Sequence, residues 1–231
     1  RGARRRRPRA SLATVAAVSL VIDGQRIETP GIETVCWLDD PRRAPLVRDG
    51  RARRATPTAV VLHTVTGQPR DPAVLPGLSG PSTRAERYAA YQATTTRDVS
   101  WHLTIDTDGT VLQQADLVRW SCWHAGPVNG WTLGVELVQA PAGALYEGQL
   151  TTLVTLLDLV CGRLAIPRRV PVAAPGVPLR GVARALSGTP GLPPWAGVLG
   201  HRNVTSGRGP GDPGDAAFRA LLAAGYEGVT V

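Results

Sequence analysis

The sequence predicts an α/β (α+β) fold: a central mixed β-sheet of about five to six strands flanked by helices, with a small N-terminal β-element. Three observations predict it. Short apolar runs of strand length alternate with helix-period segments from Ala59 onward. Two adjacent runs joined by Asp108-Gly109 have hairpin spacing, so one antiparallel pair sits within that alternating order. The segment Gly148–Ile166 carries apolar residues at 150, 153, 154, 157, 160, 161 and 164, the spacing of one helix face. A chain of 231 residues buries one sizeable core, so one main domain is expected.

In order along the chain, residues 1–9, Arg-Gly-Ala-Arg-Arg-Arg-Arg-Pro-Arg, should be disordered by like-charge repulsion. The apolar stretch Ala10–Ile22 is too short to span a bilayer. Arginines ahead of an apolar run resemble the start of an export signal. The run, however, passes straight into Val21–Ile27, which reads as a hairpin around Asp23-Gly24. This divides the chain into a basic tail or processed segment (1–18), an N-terminal β-element with an arginine-rich linker (19–56), and the main domain (57–231).

Ala59–Val65 reads as a buried strand, followed by a loop rich in Gly and Pro over 67–82. Thr83-Arg84-Ala85-Glu86 has the form of a capping box, which predicts a helix from there to about Thr94. Ser100–Ile105 alternates as a strand, and Thr110–Gln114 returns antiparallel to it. Leu133–Val138 is a further apolar strand, and the long helix Gly148–Ile166 follows. Residues 167–196 are rich in Pro and Gly and are expected to be irregular. A stretch of that length in a compact domain is often functional. Gly197–His201 is the last strand. Asp215 is placed to cap a final helix with Phe218, Leu221 and Leu222 inward, ended by Gly225.

Net charge is +8, and every one of the 26 basic residues is arginine. Chemistry that needs a lysine is excluded. The excess fits base composition, or attraction to an anionic partner such as cell-wall polymer. Aromatics are sparse and the basic residues beyond the N-terminus are dispersed, which argues against nucleic acid. Cys36, Cys122 and Cys161 are too few for a disulfide framework. Cys161 falls on the apolar face of the long helix. The chain holds no methionine, even at position 1, and so reads as a processed product or a fragment.

Two histidines end apolar runs: His63 after Ala59-Val60-Val61-Leu62, and His201 after Gly197-Val198-Leu199-Gly200. Asp212 opens a turn, Asp212-Pro213-Gly214, eleven residues after His201. Two neutral imidazoles and a carboxylate form the three-ligand set of a catalytic zinc ion, Zn2+, with a fourth position left for water. Read one by one, the histidines are equally buried strand residues and the aspartate a turn cap. Glu136, in Gly134-Val135-Glu136-Leu137, is a carboxylate on an apolar strand. It needs a charged partner, such as an arginine, or a task.

Five segments in this order resemble the zinc N-acetylmuramoyl-L-alanine amidases, a family that includes amidase-type phage lysozymes and peptidoglycan recognition proteins. They are Val61-Leu62-His63-Thr64, Ser100–Thr110, Trp123-His124-Ala125-Gly126, Leu133–Leu137, and Gly200-His201 with Asp212-Pro213-Gly214. The match covers roughly residues 57–225. The resemblance implies that 57–231 is a catalytic domain whose zinc ligands are His63, His201 and Asp212. It implies that Glu136 is the general base acting on the attacking water. The substrate would be peptidoglycan or a muropeptide, and the protein a monomer without a membrane span. A cell-envelope or secreted location is favoured, with a cytoplasmic one open.

By the same resemblance His124 lines the cleft and contacts substrate. Two other readings stay open for it: a ligand together with Cys122, or a packing residue held by Trp123. Trp101, Trp123 and Asn129 complete the expected substrate contacts, and His102 is read as structural. Many family members carry a lysine two residues before the aspartate ligand. That place is Pro210 here, so Arg208, or secondly Arg202, is the candidate cation for the oxyanion. Trp101 stands where some members have a tyrosine. Two other functions fit a related sequence: a muropeptide-binding module without catalysis, and a zinc amidohydrolase for another N-acyl substrate.

Overall fold

A computed structural model describes residues 19–39, 51–65, 72–140 and 143–231. The expected basic tail, most of the arginine-rich linker and the start of the 67–82 loop lie outside the described residues. In chain order the first strands are β1 (Ser19–Ile22), β2 (Gln25–Glu28), β3 (Thr34–Cys36), β4 (Arg51–Ala52), β5 (Ala59–Val65) and β6 (Val74–Leu75). Helix α1 (Glu86–Thr94) precedes β7 (Leu103–Ile105), β8 (Val111–Gln113), β9 (Trp120–Ser121), β10 (Thr132–Val138) and β11 (Leu145–Tyr146). Helix α2 (Glu147–Leu164) leads to β12 (Arg169–Ala174), β13 (Val177–Pro178) and β14 (Gly197–Gly200). A single helical turn, α3 (His201–Val204), then helix α4 (Asp215–Ala223) and strand β15 (Glu227–Thr230) complete the fold.

The central sheet has six strands in the order β14-β5-β10-β7-β8-β3. Strands β14, β5, β10 and β7 are parallel, and β8 returns antiparallel to β7 through the expected Asp108-Gly109 turn. Gly109 sits at φ +91°, a conformation that favours glycine. The sheet is mixed, as expected. The hairpin around Asp23-Gly24 also forms, with both central residues at positive φ. Beyond it β3 joins the main sheet beside β8. Leu20 and Ile22 of the hairpin pack in the same core as α2.

Alternation along each strand sorts side chains onto two faces. Val60 and Leu62 of β5, Leu133, Val135 and Leu137 of β10, and Val198 of β14 pack with Leu153 and Leu157 of α2 and Phe218 and Leu221 of α4. Each such side chain contributes about 1.5–3 kcal/mol of burial. Ala59, Val61 and Leu199 point the other way, into a smaller cluster with Val128 and Val204. His63 and Glu136 continue that second face. Cys161 is buried on α2 as expected, and no disulfide joins the three cysteines.

Three local expectations need correction. The capping box at Thr83 does not form: α1 starts at Glu86, with Ala85 at the cap position and no side-chain cap. The Thr83 hydroxyl donates instead to Asp106, whose carboxylate also accepts from the Ala85 N–H at 2.9 Å and the Thr107 N–H at 2.7 Å. A buried carboxylate is the stronger acceptor and takes the donors of this turn. Second, residues 167–196 are not irregular throughout. Strands β12 and β13 form a three-stranded sheet with β15 in the order β13-β12-β15. Val170 and Val172 anchor it in the main core, and Pro171, which argues against a strand in sequence, still offers its carbonyl to the Leu179 N–H at 3.1 Å. The remainder, 179–196, holds no helix or strand. Third, Asp215 is the first residue of α4 rather than its cap, which is Gly214. Its carboxylate is taken by Arg202 at 2.9 Å and Arg180 at 2.6 Å. Guanidinium groups outcompete backbone N–H donors for it. Phe218 and Leu221 are inward, Leu222 is partly so, and Gly225 follows at φ +87°.

Candidate metal centre

The site forms at the carboxyl ends of three adjacent parallel strands, the end at which open α/β sheets gather ligands. Register does most of the placing. Leu62 of β5 pairs with Gly200 of β14, so His63 and His201 leave neighbouring strands together. His63 itself pairs with Glu136 of β10. The strand expected over Gly197–His201 stops at Gly200, and His201 opens α3. The chain then returns through Gly211-Asp212, tied down by the Arg202 N–H to the Asp212 carbonyl at 2.9 Å and the Thr64 hydroxyl to the Gly211 carbonyl at 2.7 Å.

His63, His201 and Asp212 offer ligand atoms that all lie within 4.8 Å of one another, and all three residues are buried. The His63 and His201 rings meet edge to face with centroids 4.6 Å apart. His201 Nδ1 lies 3.3 Å from Asp212 Oδ2, and His63 Nδ1 lies 4.0 Å from Asp212 Oδ1. Asp212 Oδ1 also accepts from the Thr64 N–H at 3.2 Å, which fixes the carboxylate. Burial, then His201, His124 and Arg208, hold the His63 imidazolium well below its ordinary pKa, so the ring is neutral, the form that ligates. His201 Nδ1 is buried without a hydrogen-bond partner among the described residues. An orphaned acceptor of that kind is costly unless something occupies it. The donor set and this orphan fit a divalent metal ion such as zinc.

Glu136 stands beside them on the same face. Its Oε2 is buried with no hydrogen-bond partner among the described residues. Burial first, and the Asp212 carboxylate second, push its pKa well above the ordinary value, with Arg208 opposing. Carboxyl groups perturbed in this way cluster at functional sites. The arginine salt bridge that would have made Glu136 structural is not among its described contacts.

An open cleft of about 520 Å³ leads to the cluster. Its lining includes Trp123, His124, Asn129, His201 and Arg208, together with Tyr91 and Arg97, which sequence reasoning did not single out. Arg208 has a half-exposed side chain, 51%, with Nη1 3.5 Å from Asp212 Oδ2. Asn129 uses its side-chain oxygen to accept the N–H groups of His124 and Ala125 at 3.1 and 2.7 Å, so it shapes the His124 loop. Trp123 carries the Arg51 guanidinium over its ring at 4.9 Å.

Two expected residues lie elsewhere. Trp101 is only 4% exposed and its indole N–H donates to Thr104 Oγ1 at 2.8 Å, so it has no face for a substrate. Arg202 is buried outright: it pairs with Asp215, donates to the Pro210 carbonyl at 2.6 Å and lies 5.0 Å over the Phe218 ring. It braces the Asp212 loop and is removed as an oxyanion cation. Cys122 is buried and is not part of the His63–His201–Asp212 cluster. His102 is structural, as expected. Its Nδ1 accepts from the Gly134 N–H at 3.0 Å, its Nε2 meets the Trp120 carbonyl at 3.0 Å, and burial brings its pKa down to about 3.

A sequence-family model described as N-acetylmuramoyl-L-alanine amidase matches residues 53–215, most of the chain and all of the residues above from Arg53 to Asp215. The chain belongs to this amidase family. Among solved structures, the selenomethionine derivative of AmpD is 21% identical, with 87% of this chain and 98% of that chain covered and a TM-score of 0.44. The amidase LysC from Clostridium intestinale URNW is 15% identical, with 85% and 97% covered and a TM-score of 0.45. A mutant endolysin from Bacillus subtilis is 22% identical, with 59% and 80% covered and a TM-score of 0.42. No curated protein sequence matches the chain. Among the described residues, no helix of this amidase is long and apolar enough to cross a membrane.

Sequence reasoning missed the supports of the amidase site. Thr64 acts through Gly211 and Asp212, and Arg53 through the His102 ring at 3.2 Å and the Thr132 carbonyl at 2.9 Å, all remote in sequence; the Arg202–Asp215 pair spans a loop. Only the small residue Gly134 carried a signal. A Cβ there would come within 2.7 Å of the His124 ring.

Proposed function

We propose that this protein is a zinc-dependent amidase that hydrolyses the bond between the lactyl group of N-acetylmuramic acid and L-alanine in peptidoglycan or its fragments. The observation that carries this reading is the buried His63–His201–Asp212 cluster, with Glu136 one strand away on the same face. His63, His201 and Asp212 would hold the metal. Zinc in such a site supplies Lewis acidity, lowering the pKa of water and polarising a carbonyl.

The chain's own groups do the rest. Glu136 accepts the proton of the attacking water at a carboxylate oxygen. Its raised pKa makes the carboxylate a stronger base than an exposed glutamate. It returns that proton to the leaving alanine nitrogen. Arg208, half exposed at the cleft, stabilises the oxyanion as a fixed charge and gives no proton, because guanidinium stays protonated. Asn129 holds the loop of His124, and Trp123 offers a partly open ring to the sugar or peptide. Such a substrate places the protein's work at the cell envelope or on muropeptides released from it.

Incubation of the zinc-loaded protein with purified peptidoglycan tests this. Mass analysis of the products should show stem peptides with a free L-alanine amine. Glycan-chain scission alone, or intact muropeptides, would remove the assignment.

A further inference from the structure

One wall of the cleft comes from a single stretch of chain. Trp123, His124, Pro127 and Asn129 line it, and all lie between the end of β9 at Ser121 and the start of β10 at Thr132. One half-buried side chain joins the two ends of that stretch. Arg53 Nε donates to the Trp120 carbonyl at 3.1 Å, Nη1 to the Gly130 carbonyl at 3.1 Å and Nη2 to the Thr132 carbonyl at 2.9 Å. The backbone before it follows the same stretch. Arg51 and Ala52 of β4 pair antiparallel with Ser121 and Trp120, and the Arg53 N–H donates to the Arg119 carbonyl at 2.8 Å. The exposed Arg51 guanidinium lies over the Trp123 ring at 4.9 Å. Other ties hold the stretch at single points: Ser100 at Trp123, and Thr58 at Trp131. Arg53 takes both ends at once.

We propose that Arg51–Arg53 is a strap that positions this wall for substrate, with the Arg53 guanidinium as the clip and Arg53 as a positioning residue. This rests on the amidase reading of the cleft. The fork of a guanidinium points its donors in fixed, divergent directions and so spans three carbonyls. An ammonium offers its donors from one point and cannot reach all three. The stretch has its own internal ties, the Ser121 hydroxyl to the Asn129 carbonyl at 2.8 Å and the Asn129 side chain to His124 and Ala125. Those ties give the loop its shape, and the clip sets where the shaped loop sits. With the clip removed, substrate would have to order the wall as it binds, which costs affinity. His63, His201, Asp212, Glu136 and Arg208 lie outside the stretch, so the clip acts on binding rather than on the chemical step.

Amide hydrogen exchange read by mass spectrometry follows the wall without reference to activity, and steady-state kinetics on a muropeptide follow its use. Arg53→Ala should exchange faster in peptides covering 120–132 and at the wild-type rate in the rest of the central sheet. Its KM should rise about 10-fold with kcat within about twofold, the signature of lost binding rather than lost chemistry. Zinc content should be wild type. Arg53→Lys should fall between the two, and Arg54→Ala, at an exposed neighbour, should behave as wild type. A merely structural role would speed exchange throughout the domain and lower the thermal midpoint while leaving KM alone. Wild-type exchange over 120–132 in Arg53→Ala, an unchanged KM, or a loss confined to kcat overturns the proposal. Should Arg53→Ala not fold, Arg53→Lys carries the test by the same criteria. A wild type that releases no stem peptide overturns the amidase reading, and the exchange comparison then still decides whether Arg53 holds the wall.

Discussion

His63 and Glu136 stand side by side: their Cα positions pair in the parallel register of β5 and β10, and both side chains leave the sheet on the face away from α2. A candidate metal ligand and a candidate base are thus set by one strand pairing. A slip of one residue in that register would send one of them into the core.

Glu136→Gln should keep zinc and lose about 10²–10⁴-fold in kcat, measured on a muropeptide substrate. The variant also has a stability signature in the metal-free protein. The folded state holds the Glu136 proton more tightly than the unfolded chain does. This contribution is therefore complete below the ordinary carboxylate pKa of 4.5 and is lost as pH rises through the raised value. Thermal midpoints of metal-free protein should fall on alkalinisation in wild type and fall less in Glu136→Gln.

The buried histidines act in the opposite direction. His63, His102 and His124 all have depressed pKa values, with burial the main cause. Their contribution is complete above 6.5 and is lost as pH falls, for His102 over the span from 6.5 to about 3. Urea midpoints should drop on acidification through this span. His102→Gln should flatten that drop, and an unchanged profile would show that His102 does not stay neutral.

Arg208→Ala should reduce kcat by about 10²-fold, as expected for losing one oxyanion-stabilising group, with KM little changed. Arg208→Lys should recover part of the loss. Zinc content should be wild type in both. An Arg208→Ala enzyme with full kcat would leave the oxyanion to the metal alone.

The Arg202–Asp215 pair should behave as a buried clasp. Both side chains are almost wholly buried, 0% and 3% exposed. Asp215→Ala strands the Arg202 charge and should cost about 3–5 kcal/mol in urea unfolding. Arg180 also reaches Asp215, but its side chain is 57% exposed, and Arg180→Ala should cost no more than about 1 kcal/mol.

The sequence made the strand ends legible because His63, Glu136 and His201 each close or interrupt an apolar run, and such runs become adjacent parallel strands. The long helix α2 was legible from its periodicity. What stayed hidden depends on competition or on distance in the chain. Thr83 and Asp215 both look like caps, but Asp106 claims the first and the arginines claim the second. Strand β12 was hidden by its own proline, which the sheet tolerates. Trp101 and Arg202 have the right chemistry for a site, and burial removes both from it. Thr132 opens an apolar strand like any other threonine. Its hydroxyl meets the Val128 carbonyl and the His124 ring only once the chain has folded.

The most direct test of the central claim is stoichiometric reconstitution. Protein stripped with a chelator is titrated with zinc while release of stem peptide from a muropeptide is followed. Activity should be absent at the start, rise linearly and level off at one zinc per chain, and it should not return in Asp212→Ala. Full activity in the stripped wild type, or reconstitution of Asp212→Ala to wild-type rate at one equivalent, would contradict a catalytic zinc held by His63, His201 and Asp212.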